Sequence, residues 1–79
     1  MITVRYFAGA AEAAGTDSEQ LDGATVGEVL GAAQRLHGDR LAEVLSRCSV
    51  LHRGRYVDDE TTPVEAGDII DVLPPFAGG

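Results

Sequence analysis

The sequence predicts an α+β fold, with one main helix laid across a mixed sheet of four to five strands. Three observations carry that reading. Residues 2–8 alternate, with Ile2, Val4 and Tyr6 on one face and Thr3, Arg5 and Phe7 on the other, the period of a strand with one buried face. Residues 25–36 instead repeat apolar side chains every three or four positions behind a helix-capping signal. Ile69-Ile70-Asp71-Val72-Leu73 is the most apolar strand-like run, as suits the centre of a sheet. The full series of strand, strand, helix, short helix, strand, strand, strand is not an alternating β-α-β pattern.

The elements follow in order. Gly9 is expected to break the first strand. Ala10-Ala11-Glu12-Ala13-Ala14 is a run of strong helix formers ended by Gly15, so a short helical turn is expected on the loop. Residues 18–21 read as a short, charged edge strand beside the first. Thr25-Val26-Gly27-Glu28 is a capping box, in which Thr25 accepts from the Glu28 amide and the Glu28 carboxylate answers to Thr25. Val26, Val29, Leu30, Ala33 and Leu36 then form the buried stripe, and Gly38 ends the helix.

Asp39 is placed to cap a shorter segment that turns Leu41, Val44 and Leu45 inward and stops near Ser46. Residues 49–52 and Tyr56-Val57 flank Arg53-Gly54-Arg55 as a tight hairpin. Pro63 and Gly67-Asp68 mark turns before the last strand. If the first and last strands pair in parallel, the crossover between them is expected to be right-handed.

Composition narrows the function. A chain of 79 residues with 44% hydrophobic content allows one compact domain over residues 1–79 and leaves little room for a deep internal active site. A net charge of −7 disfavours nucleic acid and anionic membranes as partners and favours a protein with basic residues. Cys48 is the single cysteine, which excludes an internal disulfide and fits a reducing compartment. Residues 1–5 lack the features of a signal peptide, and no stretch approaches the ~18 consecutive apolar residues of a membrane span. A cytoplasmic protein is expected.

The ending, Leu73-Pro74-Pro75-Phe76-Ala77-Gly78-Gly79, is the most informative stretch. A glycine pair alone is weak evidence. Beside it, Pro74-Pro75 favours a stiff extended path that cannot rejoin the sheet, so residues 74–79 read as a flexible tail held away from the body. Its reach after Leu73 is up to about 20 Å, enough to enter another protein's cleft. Without side chains, Gly78 and Gly79 could pass a narrow channel and leave the terminal carbonyl carbon open to attack.

The capped helix Thr25-Val26-Gly27-Glu28-Val29-Leu30, the Gly67-Asp68 turn and this tail resemble the ubiquitin-like sulfur carriers of the MoaD/ThiS type. The tail is most similar to that of the small subunit of molybdopterin synthase. Phe76 departs from the family pattern, which more usually has a small aliphatic residue there.

The resemblance covers essentially the whole chain and implies a ubiquitin-like β-grasp fold. It implies that Gly79 is adenylated by a ubiquitin-activating-like adenylyltransferase using ATP, then converted to a thiocarboxylate with sulfur from a donor protein. It implies that the tail inserts into the large subunit of molybdopterin synthase, in a heterotetramer of two small and two large subunits, and that sulfur passes to a pterin precursor. The carrier would be a non-catalytic, sulfur-donating subunit with no permanently bound cofactor. The alternatives within the family are a carrier for thiazole/thiamine or cysteine biosynthesis, and a ubiquitin-like protein modifier.

The remaining residues suggest no second site. His37 suits a favourable interaction with the helix dipole, and His52 reads as a strand surface residue. With two histidines and one cysteine, no metal site is expected. Asp58-Asp59-Glu60 reads as a solvated loop and Cys48 as a small buried apolar residue. Phe7 faces away from Ile2, Val4 and Tyr6, so it either anchors a partner together with Phe76 or covers the turn at Ala10-Ala14. The expected partner-binding residues are therefore Phe7, Pro74, Pro75, Phe76 and Ala77, with Gly78 and Gly79 as the reacting end.

Overall fold

A computed structural model describes residues 1–75. The elements are β1 (Ile2–Tyr6), α1 (Gly9–Ala14), β2 (Ser18–Leu21), α2 (Val26–His37), α3 (Asp39–Leu45), β3 (Ser49–His52), β4 (Arg55–Tyr56) and β5 (Ile69–Leu73). Among the described residues the strands form one sheet in the order β2-β1-β5-β3-β4, with β5 in the centre as its composition predicts. The sheet is mixed: β1 runs parallel to β5, and the other pairings are antiparallel.

Alternation along the strands decides which side is covered. Ile2, Val4 and Tyr6 of β1 and Ile70 and Val72 of β5 are at most 3% exposed. They join Val26, Val29, Leu30 and Ala33 of α2, Leu41 of α3, Ala10 and Ala14 of α1, and Val64 in one core. That core builds on the stripe of α2. At about 100° per residue, however, position 37 lies nearer the middle of the stripe than position 36. Leu36 is 63% exposed, contrary to its predicted burial, and His37 takes the inward place.

The helix ends differ in detail from the sequence reading. Thr25 Oγ1 accepts from the Glu28 amide at 3.2 Å, as expected, but the Glu28 carboxylate takes the Ala24 N–H at 3.0 Å instead of answering to Thr25. The next orphan donors of α2 find carbonyls in the 58–63 loop, Val26 N–H donating to Thr62 and Gly27 N–H to Glu60. Asp39 is the first residue of α3 and makes no side-chain cap; Gly38, at φ 83°, holds the position between the two helices.

Two boundaries also shift. β1 ends at Tyr6, because Ala8 with φ 50° turns the chain into α1, and Gly9 opens that helix where a break was predicted. The hairpin turn is the two-residue Arg53-Gly54, both at positive φ, so His52 pairs with Arg55 and β4 starts one residue earlier than expected.

Candidate functional site: the root of the tail and the open sheet face

β5 delivers the chain end from the middle of the sheet. Its register pairs Val72 with Tyr6 of β1 and Leu73 with Ser49 of β3, and the Phe7 amide donates to the Val72 carbonyl at 3.1 Å. The strand is therefore gripped on both sides up to its last residues. Pro74 is half-buried and Pro75 exposed; proline offers no N–H with which to extend either ladder, so pairing stops there. Phe76, Ala77, Gly78 and Gly79 lie outside the described residues.

The side of the sheet opposite the core surrounds this exit with a mixed surface. Phe7 is 42% exposed, as predicted, and the Arg5 guanidinium carbon lies 5.8 Å from its ring centroid. Phe7 also lines a shallow hollow with Ala8, Ala11, Asp17 and Ser18. Ile69 and Tyr56 are exposed on the same face, and Leu51 and Leu73 are half-buried there. Arg5 and Asp71, neighbours in the β1–β5 register, form a two-pronged ion pair between these apolar side chains. The face thus offers aromatic and aliphatic contacts around the Arg5–Asp71 pair, with the Arg53–Asp68 pair beside Ile69 and Leu51.

Both histidines belong to structural clusters. His52 is buried, not a surface residue as predicted, and its Nε2 donates to Asp68 at 2.8 Å. Alternation already places it beside Val50 on the covered face, and the Asp68 carboxylate satisfies its polarity. The Glu65 amide, then His52 and Arg53, hold the Asp68 carboxyl well below the usual carboxylate range.

At the other end of the sheet, one Glu19 carboxylate oxygen accepts from the Tyr6 hydroxyl and from His37 Nε2, each at 2.6 Å. Burial, and then this Glu19 contact, push the Tyr6 phenol well above its ordinary value. His37 therefore ties α2 to the edge strand β2, a role beyond the helix-dipole contact expected of it. Asp59 shapes its own turn by accepting from Thr61, and Asp58, Asp59 and Glu60 are exposed, the solvated loop predicted.

Among the described residues no group of three or more His, Cys, Asp or Glu side chains could hold a metal ion. No described helix is long and apolar enough to cross a membrane.

Comparison with known proteins places this geometry. The ThiS family profile matches residues 4–79. The chain belongs to that family. It is a ubiquitin-like protein of the MoaD/ThiS sulfur-carrier type, and its mixed sheet with one-sided helices is the ubiquitin-like β-grasp fold.

A curated relative, small archaeal modifier protein 3 of Haloferax volcanii, is 37% identical over 99% of this chain and 98% of its own length. The structure of SAMP1 from Haloferax volcanii superposes with a TM-score of 0.85 at 29% identity, covering 99% of this chain and 98% of the other. A complex of subunits 1 and 2 of molybdopterin-converting factor from Helicobacter pylori contains a chain matching with a TM-score of 0.76 at 26% identity, covering 99% and 97%.

Proposed function

We propose that this ThiS-family protein is a carrier whose C-terminal Gly79 is activated with ATP and then loaded with sulfur. A carboxylate is a poor electrophile. Joined to AMP, with release of pyrophosphate, it becomes a mixed anhydride. A persulfide on a donor protein attacks the acyl carbon and AMP leaves with the electron pair. A second thiol then cleaves the S–S bond, forming a disulfide with the donor sulfur and releasing the thiocarboxylate. The resulting thiocarboxylate is a soft nucleophile, and the carrier needs no catalytic side chain of its own.

The observation that carries the reading is the exit of the chain end. The central strand is gripped by Phe7 and Ser49 and released at Pro74-Pro75, beside an open face fit for a partner. On this reading Phe7 and Phe76 anchor the large subunit of molybdopterin synthase, Pro74, Pro75 and Ala77 line the inserted tail, and sulfur passes to a pterin precursor. The Pro-Pro tail and the likeness to a chain of the two-subunit molybdopterin-converting factor complex support that recipient.

A second reading is attachment to lysines of target proteins, favoured by the 37% identity to a small archaeal modifier protein. The two part company in one experiment. The protein is incubated with ATP, its host's activating enzyme and a sulfur donor, then weighed intact. A mass increase equal to the replacement of one oxygen by sulfur supports the carrier; stable isopeptide adducts in cell extract, without that increase, support the modifier.

A further inference from the structure

All six strongly basic side chains are arginine, and the 79 residues contain no lysine. If Gly79 is activated, that composition has a chemical meaning. Lysine amines are the surface groups that attack an activated acyl carbon, whereas a guanidinium stays protonated to above about pH 12 and does not. Two stronger nucleophiles remain on the chain, the Met1 α-amine and the Cys48 thiol.

The strand register locates both. Since Val72 pairs with Tyr6, Leu73 is level with Phe7, and the six residues from there back to Met1 span roughly 20 Å of strand. After Leu73 the remaining residues reach at most about 20 Å, so only a fully extended tail doubling straight back along the sheet would meet the amine of its own copy. Cys48 is the opposite case. It immediately precedes Ser49, the partner of Leu73, and therefore sits at the root of the tail, well within reach. There the fold intervenes. Cys48 is half-buried, its S–H donates to the Val44 carbonyl at 3.1 Å, and burial pushes the thiol up, away from the reactive thiolate.

We infer that this chain is an acyl donor built without a side-chain acceptor, so that Gly79 is delivered to nucleophiles on other molecules and its attached copies carry no side-chain branches. The inference rests on the proposed activation of Gly79. For a carrier, the acceptor is the sulfur donor. For a modifier, a target amine attacks the acyl carbon, the C–N bond forms as the C–O bond to AMP breaks, AMP keeps the electron pair, and the ammonium proton passes to solvent. Each target amine then receives a single copy, because that copy presents no side-chain amine for the next; only Met1 could extend it, and only linearly.

The test installs a 2-mercaptoethanesulfonate thioester on Gly79 by cleavage of an intein fusion, and follows intact mass at neutral pH in native buffer and in concentrated urea. Free cysteine added to one sample confirms that the acyl group is reactive. In native buffer the protein is expected to remain the thioester or its hydrolysis product. In urea the released Cys48 displaces the mercaptoethanesulfonate and closes a macrocycle several-fold faster, because unfolding frees the thiol from burial and from the Val44 carbonyl. Cys48→Ser removes that product.

Macrocycle formation at equal rates in both media, or in neither, overturns the claim that the fold withholds Cys48. A native dimer linked through any residue except Met1 overturns the donor-only reading. Because the thioester is made chemically, these outcomes do not depend on an enzyme activating Gly79, whose failure the ATP assay registers separately.

Discussion

The two faces of one sheet, built from the same strands, teach different things. On the covered face Ile2, Val4, Tyr6, Ile70 and Val72 are nearly inaccessible, and their neighbours in sequence, Thr3, Arg5, Ile69, Asp71 and Leu73, point to the open side. Ile69 and Ile70 are chemically identical and adjacent, yet one is 45% exposed and the other 0%. Burial against α2 makes the first face a source of stability. The second is free of that demand, which is why its apolar residues invite a functional reading.

The largest contrast is expected within that isoleucine pair. Ile70→Ala should lower stability by about 2 to 5 kcal/mol through lost transfer energy and a cavity, with Leu30→Ala close behind at ~2 to 4 kcal/mol. Ile69→Ala should fall within about 0.5 kcal/mol of the parent. Urea denaturation measures all three, and similar losses for Ile69 and Ile70 would erase the distinction between the faces.

Next is binding on the open face. Phe7→Ala and Phe76→Ala should each weaken association with the proposed partner, the large subunit of molybdopterin synthase, by ~2 kcal/mol or more in calorimetry. Circular dichroism should show both variants folded. Affinities within a factor of two of the parent would leave recognition to the tail backbone alone.

The smallest effect sharpens the covered face through pH. Asp68 is held below its usual range, so it contributes stability that is present above its unfolded value near pH 4 and lost as pH falls toward its folded one. Tyr6 is shifted upward, so its contribution is complete below about pH 10 and lost as alkali rises beyond it. Denaturation across pH should show the acid-side loss flattened in Asp68→Asn and the alkaline loss flattened in Tyr6→Phe. Unchanged slopes in both variants would remove these clusters from the stability of the fold.

Much of this was legible in the sequence because it rests on periodicity and short-range chemistry. The alternation of β1, the edge strand β2, the Thr25 cap, the end of α3 at Ser46 and the central β5 all depend on residues a few positions apart. The exposure of Phe7 followed from the same alternation. Misreadings arose where a polar residue competes for an apolar place. Periodicity already put both histidines inward, His37 on the helix stripe and His52 beside Val50, but their polarity argued against burial. The partners that permit it, Glu19 eighteen residues before His37 and Asp68 sixteen after His52, leave no periodic trace. The triad of Tyr6, Glu19 and His37 was invisible for the same reason. The withheld thiol of Cys48 needed the register of Ser49 with Leu73 before its closeness to the tail could be seen.

The most direct test of the proposed carrier is removal of a single residue. Deleting Gly79 should leave the urea midpoint unchanged, since no described core residue lies beyond Val72. Sulfur transfer in a purified assay with activating enzyme, ATP, sulfur donor and large subunit should vanish. Transfer retained at the parental rate by the folded, truncated protein would contradict a mechanism that runs through the terminal glycine.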